Sequence, residues 1–153
     1  MTNPADVSSI DAIINAAYDV ISGPAGAKRD WERERSLFLP EARLSPTATV
    51  PGRHDVYLAP LILDVEAYIQ RVEPLFADKG FYETEVARRT EQFGQIAHVW
   101  STYESRHRED DPEPFMRGIN SFQLFHDGSR WWIVNIYWQH ESTAHPIPEK
   151  YES

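Results

Sequence analysis

From Phe81 onward, apolar and polar side chains alternate along four long stretches of this chain. A period of two is that of a β-strand, because successive side chains point to opposite faces of a sheet. The alternation predicts strands at 81–91, 95–107, 115–126 and 130–140. The connections are Phe93-Gly94, the acidic loop 109–114 and Asp127-Gly128, of which the last is a strong hairpin signal. We therefore expect consecutive strands to pair antiparallel.

The residues before Phe81 have the period of a helix instead. Apolar side chains recur every three or four residues after Ser8, which begins a capping signal, and Gly23 ends this first run. A similar run follows Asp64 and ends at Gly80, with Pro74 inside it. We expect the proline to kink this later helix or to end its regular part early, because it removes a backbone hydrogen bond.

A shorter helix is predicted between these two. Asp30 precedes it, and an aspartate at this position caps the first backbone amides of a helix. Its buried side would consist of Trp31, Leu37 and Phe38. The charged residues 32–35 would then lie in water.

Helices followed by consecutive antiparallel strands predict an α+β domain, with three N-terminal helices packed in the concave face of a curved, mainly antiparallel sheet. Between the second and third helices we expect a short strand at 42–49 and a loop at 51–60. The length suits one domain over 1–153, with its core at about 8–141 and an extended tail at 142–153.

The composition excludes several classes of function. The net charge is −9, from 24 acidic and 15 basic side chains, which disfavours binding to a phosphate backbone. No apolar run approaches the length of a membrane span, and no signal peptide is evident, so we expect a cytoplasmic protein that does not enter a membrane. Cysteine is absent, and the 6 histidines lack metal-ligand spacing, so we expect no metal and no cofactor.

Three parts of the chain, in this order, resemble NTF2-like (SnoaL-like) domains. They are Asp30-Trp31 with the run Leu37-Phe38-Leu39-Pro40-Glu41-Ala42-Arg43-Leu44, then Gly94-Gln95-Ile96-Ala97-His98-Val99, then Arg117-Gly118-Ile119-Asn120-Ser121-Phe122 with Asp127-Gly128 and Trp131-Trp132-Ile133-Val134. The resemblance spans roughly residues 8–141. It implies a cone of three helices on a bent sheet, an internal pocket and frequent dimerisation through the convex face.

Scytalone dehydratase shares this layout, and the chain resembles it more distantly. Matching the Asp127-Gly128 turn implies that Asn120 stands where that enzyme has a pocket asparagine. Ser105 stands where a catalytic histidine is expected, and no inward histidine is evident in the strands. The resemblance therefore implies the fold and leaves the reaction open.

Strand alternation suggests which polar side chains face the pocket. Asn120 is the polar residue most readily placed inside, where it would either orient a ligand or be a buried amide satisfied by its neighbours. Tyr103, Ser101, Asn135 and Tyr137 share its predicted side and would complete a polar patch.

Glu83 and Glu85 share one side of the first long strand. If that side faces inward, burial would raise the pKa of one carboxyl and suit it to general acid or base chemistry. The alternative is a solvated face of an edge strand.

The last strand is apolar on both sides, which implies that its outer face is covered as well. A second copy of the sheet would cover it, giving a homodimer. The tail with Pro146 and Pro148 would do so in a monomer. The residues predicted to line the interface are Trp100, Trp132, Val134, Ile136 and Trp138.

Three functions remain open from the sequence. The first is the binding of a small molecule in an apolar pocket. The second is a cofactor-independent dehydratase or isomerase acting on a small hydrophobic compound. The third is a non-catalytic module for dimerisation or partner binding, with its cavity filled by side chains.

Overall fold

A computed structural model describes residues 2–153 of the chain. In them, three α-helices form: α1 at Ile10–Ile21, α2 at Trp31–Leu37 and α3 at Val65–Asp78. The predicted cap Asp30 accepts a hydrogen bond from a backbone amide of α2, and Asp64 does the same for α3, which begins where expected. The cap of α1 is Ser9 rather than Ser8. Pro74 lies within α3, which continues past it to Asp78. No helix within residues 2–153 is both long enough and apolar enough to span a membrane.

The strands of residues 2–153 form two sheets. They are β1 Phe38–Pro46, β2 Ala48–Val50, β3 Arg53–Leu58, β4 Tyr82–Phe93, β5 Ile96–Arg106, β6 Met116–His126 and β7 Trp131–His140. The larger sheet has the order β1-β7-β6-β5-β4, and β1 runs parallel to β7 while the other pairs are antiparallel. The expectation of a plain loop at 51–60 was wrong, since β2 and β3 form a small hairpin there.

The predicted α+β class is confirmed: three helices pack against one face of a curved, mixed sheet. The core between the layers is mainly apolar, and Ile13, Ile14, Leu37 and Ile133 have no exposed surface. The four predicted long strands correspond to β4–β7, and no strand end differs from its predicted position by more than two residues.

A β-bulge in β7 reverses the facing of its second half. Gln123 pairs with Asn135 but its neighbour Leu124 pairs with Ile133, so Val134 is an extra residue. Beyond such a bulge, alternation continues with the opposite parity. A second bulge in β4 inserts Val86 between the pairs of Glu85 and Ala87.

The bulge corrects four assignments in β7. Asn135 pairs with Gln123 on the outer face, and Tyr137 there is 47% exposed, so neither faces the space under the helices. Ile136 is buried and faces the helices, and Trp138 packs edge-on against Tyr68 of α3. Ile136 and Trp138 therefore do not belong to the outer row in which the sequence placed them.

The C-terminal tail lies across the outer face of the sheet. Thr102 Oγ1 donates a hydrogen bond to the Tyr151 carbonyl at 2.7 Å, and the Tyr151 ring lies 5.9 Å from that of Trp100. Arg117 forms an ion pair with Glu152 at 2.5 Å. Between tail and sheet a groove of about 220 Å³ remains. The tail thus covers part of the face for which a second copy was expected.

Candidate functional site

A cavity of about 470 Å³ lies between the helices and the sheet. This volume is in the range of small-molecule sites in proteins, which are largely apolar with a few converging polar groups. The apolar and aromatic lining comes from every layer: Ala17, Tyr18, Ile21, Leu44, Tyr68, Val72, Phe76, Phe81, Phe122, Ile136 and Trp138. The polar groups in its wall include Glu34, Glu83 and Asn120.

The cavity opens between the C-terminal half of α3 and the β5–β6 loop. Leu75 and Phe115 line this mouth and are 62% and 46% exposed. The His107 ring stacks on Phe115 at 3.8 Å, and its Nδ1 lies 3.0 Å from the Gly80 carbonyl. Because a carbonyl only accepts, Nδ1 donates and Nε2 of a neutral ring is left as an acceptor. Arg71, Asp78 and Lys79 add exposed charges of both signs at the mouth.

A chain of hydrogen bonds leads from the protein surface to Asn120. Arg88 binds the Glu85 carboxylate at 2.6–3.0 Å, and Ser101 Oγ lies 2.5 Å from Glu85 Oε2. Tyr18 Oη lies 2.6 Å from Ser101 Oγ, and Asn120 Nδ2 lies 3.0 Å from Tyr18 Oη. Four elements, α1, β4, β5 and β6, are thereby tied together beneath the cavity.

The direction of these bonds follows from the ion pair at their start. A carboxylate held by an arginine only accepts, so Ser101 donates to Glu85. Tyr18 must then donate to Ser101, and Asn120 Nδ2 donates to Tyr18. Burial raises the pKa of Tyr18 far above its usual value, which keeps its proton in place. Asn120, which is 7% exposed, is thus fixed with its Oδ1 as a free acceptor at the cavity.

Glu83 places a carboxyl in the cavity wall. It pairs with Ser105 across β4 and β5, and Ser105 Oγ donates to Glu83 Oε1 at 3.3 Å. Burial raises the pKa of Glu83 to about 7, opposed by the Ser105 hydrogen bond. Glu83 and Glu85 share one face, because the β4 bulge comes after them. That face points inward, since Glu83 lines the cavity and the Glu85 side chain is 17% exposed. The alternative of a solvated face was therefore wrong. Glu85 is committed to Arg88, which leaves Glu83 as the free carboxyl of the pair.

Glu34 is a second carboxyl in the wall, and the sequence placed it wrongly in water. It is 3% exposed, and its Oε2 has no hydrogen-bond partner. Burial raises the pKa of Glu34 to about 8, with Arg33 acting weakly in the other direction. The spacing of Trp31, Glu34 and Leu37, three residues apart, puts all three on one helix face, and that spacing was the available signal.

Tyr103 and His140 form a further polar pair that the sequence did not bring together. Tyr103 is buried, and its hydroxyl lies 2.7 Å from Nδ1 of His140, which lines the cavity. The sequence placed His140 on the outer face and found no inward histidine. The β7 bulge reverses that assignment.

The predicted site residues therefore fall into three groups. Asn120 and Glu83 line the cavity. Ser101, Tyr103 and Glu85 lie behind the wall and hold wall residues through hydrogen bonds. The other two, Asn135 and Tyr137, lie on the outer face. Within residues 2–153 no three His, Cys, Asp or Glu side chains are grouped in a way that would hold a metal ion.

Solved structures with the same fold were found by structural comparison. An NTF2-like protein of unknown function from Silicibacter pomeroyi matches 88% of this chain and 94% of its own, with 16% identity and a TM-score of 0.59. A protein of unknown function with a cystatin-like fold from Nostoc punctiforme matches 86% of this chain and 90% of its own, with 12% identity and a TM-score of 0.61. An NTF2-like protein of unknown function from Pseudomonas putida matches 90% of this chain and 87% of its own, with 12% identity and a TM-score of 0.63.

No family model and no curated protein sequence matches the chain. Sequence identities this low support a shared fold but do not support a shared activity. Their agreement over nearly the whole length confirms the fold that the sequence resemblance implied. The chain has the cystatin-like fold of NTF2-like proteins.

Proposed function

We propose that this protein binds a small, largely apolar molecule in the cavity between the helices and the sheet. The observation that carries the proposal is that Glu34, Glu83 and Asn120 line one largely apolar space of about 470 Å³. A module whose cavity is filled by side chains would have no such space. In a ligand site, a few polar groups on an apolar wall fix orientation while the wall supplies affinity.

Asn120 is expected to bind the polar part of the ligand, because its amide is fixed by Tyr18 and leaves Oδ1 open. Binding of naphthylmethanol, followed by quenching of the cavity-lining Trp138, tests the proposal. Asn120→Ala should weaken binding about 2- to 12-fold, the equivalent of one hydrogen bond. Asn135→Ala, the same change on the outer face, is the matched control and should leave affinity unchanged.

Filling the cavity gives a second test that does not depend on any hydrogen bond. Val72 lines the cavity from α3, and Val72→Phe would take up part of the free volume. We expect a folded protein that no longer binds the probe. Unaltered binding by this variant would contradict the assignment of the cavity as the ligand site.

One observation favours catalysis as a second candidate function. A carboxyl whose pKa is near 7, as burial makes that of Glu83, is matched to proton transfer at neutral pH. We therefore propose that Glu83 moves a proton on a bound carbonyl compound, as a cofactor-independent isomerase or dehydratase requires. Exchange of the α-protons of tetralone in D2O, followed by NMR, is the test. Equal exchange rates for the wild type and Glu83→Gln would exclude this role.

A further inference from the structure

Three polar side chains of the inner cavity wall, Asn120, Glu83 and Glu34, offer acceptors to a ligand once the two carboxyls are ionised. Asn120 presents Oδ1, because the hydrogen-bond chain from Glu85 fixes its Nδ2 on Tyr18. Glu83 presents a carboxyl whose Oε1 accepts a long hydrogen bond, 3.3 Å, from the Ser105 hydroxyl. A wall of this kind favours a ligand that donates hydrogen bonds.

Glu34 is the wall residue that most needs a hydrogen-bond donor from a ligand. It is 3% exposed and lines the cavity, yet Oε2 has no partner among residues 2–153. A buried polar atom without a hydrogen bond is costly to the folded state, so a donor placed in the cavity would remove a penalty already present.

The cations near the cavity wall are committed elsewhere. Arg33, next to Glu34 in sequence, binds Asp6 at 2.9 Å and Asp19 at 2.6 Å. Arg88 is held by Glu85 and Asp11. Neither arginine neutralises the two wall carboxyls, so a cationic ligand would meet uncompensated acceptors.

Other charged and titratable groups lie near Glu34 and Glu83 on the helices, the sheet and the β5–β6 loop. Burial raises the pKa of Tyr68, and the carboxyls of Glu34 and Glu83 raise it further, so both lie near its hydroxyl. The two cationic side chains in the wall, Arg71 and Lys79, are exposed at the mouth beside Asp78. They include Tyr18 of α1, Arg29 before α2, Arg33 of α2, Tyr68, Arg71 and Asp78 of α3, Lys79 after it, Tyr103 and His140 of the sheet, and His107 of the β5–β6 loop.

The aromatic lining suits a positive charge as well as an apolar body. Ring faces attract cations within about 6 Å, most strongly when the site excludes water. The protein already uses this contact, since the Arg29 guanidinium lies 4.8 Å from the Phe76 ring centre. The aromatic side chains of the cavity are Tyr18, Tyr68, Phe76, Phe81, Phe122 and Trp138, with Phe115 at its mouth.

We propose that the ligand of this cavity is an apolar amine, bound as the ammonium cation with its N–H groups on Glu34, Glu83 and Asn120. The inference rests on the proposed function and narrows it to one chemical class. Ionised Glu34 and Glu83 would each accept a charge-assisted hydrogen bond, which is stronger than a bond between neutral groups.

Three probes of one shape test the inference: naphthylmethylamine, naphthylmethanol and naphthoate, titrated calorimetrically at pH 8. The amine should bind at least about tenfold more tightly than the alcohol, because one charged hydrogen bond contributes that much. Affinity for the amine should rise between pH 6 and pH 8, since Glu83 and Glu34 ionise with pKa values of about 7 and about 8. The alcohol should show no such rise.

Glu34→Gln should remove most of the difference between amine and alcohol while the alcohol still binds. Glu41→Gln, at an exposed position of β1, is the matched control and should change neither affinity. If alcohol and amine bind equally, the amine inference is overturned and the proposed function stands. Tighter binding of naphthoate would also overturn it, in favour of Arg71 and Lys79. Binding of none of the three would overturn both proposals.

Discussion

The Tyr103 hydroxyl lies 2.7 Å from Nδ1 of His140, and the tyrosine side chain crosses directly over the backbone of Gly118. Gly118 pairs with Tyr103 on β5 and with His140 on β7, so it lies between them on β6. A Cβ at this position would lie 2.3 Å from the tyrosine oxygen and 2.4 Å from the Gln139 carbonyl oxygen. The glycine is what allows the two side chains to meet across the middle strand.

We expect Gly118→Ala to destabilise the protein by about 1–3 kcal/mol, because the added methyl group overpacks a closed site. Urea unfolding measures the loss. Tyr103→Phe in the same background removes the nearest of the three close contacts, while Cζ of the ring stays 2.6 Å from the added Cβ. The double variant should therefore be more stable than the sum of the single changes predicts. Strict additivity would mean that the tyrosine does not cross Gly118.

Stability should depend on pH through the two wall carboxyls. In the folded protein the pKa is about 8 for Glu34 and about 7 for Glu83, against about 4.3 in an unfolded chain. The folded state therefore binds more protons than the unfolded state between these values. The free energy of unfolding is highest below about pH 5 and falls as the pH rises to about 8.

Glu34→Gln should flatten this dependence, because glutamine has the same shape and does not ionise. We expect the variant to match the wild type at pH 5 and to exceed it by about 1–3 kcal/mol at pH 8. Denaturant unfolding at both values provides the measurement. A variant less stable than the wild type at pH 8 would mean that the carboxylate has a partner in the folded protein.

Arg88 should be required for the hydrogen-bond chain that ends at Asn120. Its side chain and that of Glu85 are both 17% exposed, so Arg88→Met would leave a largely buried carboxylate unpaired. We expect the free energy of unfolding to fall by about 1–3 kcal/mol, which is less than for a fully buried pair. We also expect weaker ligand binding in the cavity. Adding Glu85→Gln should recover part of the stability. If the single variant unfolds like the wild type, Glu85 does not depend on Arg88.

The homodimer expected from the sequence stays a prediction, and we propose that its surface is the part of the outer face that the tail leaves open. Register pairs align an apolar row across four strands there, in which Phe93 is 85% and Ile96 62% exposed. The row consists of Phe93, Ile96, Phe125 and Trp132, with Val134 beside it.

Light scattering should give twice the mass of one chain at micromolar concentration. Ile96→Glu or Val134→Glu should halve it, since a charge in the centre of an apolar interface is not tolerated. Leu75→Glu is the control and should leave the mass unchanged, because Leu75 is as exposed as Ile96 but lies at the cavity mouth. A wild type with the mass of one chain would show that this apolar row stays exposed and that the homodimer prediction is wrong.

Local patterns were sufficient to predict the helices, the long strands and the order in which they occur. Asp30 caps α2 as expected, α3 begins directly after Asp64 as expected, and the alternation from Phe81 onward marks β4–β7. These signals are local because capping, helical periodicity and strand alternation each involve residues that are near in sequence. Asn120 was placed correctly for the same reason, since no bulge interrupts β6 before it.

What only the tertiary structure decided is which side chains meet at the cavity. The extra residue Val134 reverses the facing of β7, and nothing in the alternating pattern marks it, because that strand is apolar on both sides. From the sequence alone Glu34 is predicted to be a surface charge, and only the packing of α2 on the sheet buries the helix face that carries it. The sequence by itself determined the α+β fold, through short-range periodicity. The pairing register and the packing of helix on sheet, which depend on residues far apart in the chain, determined the site.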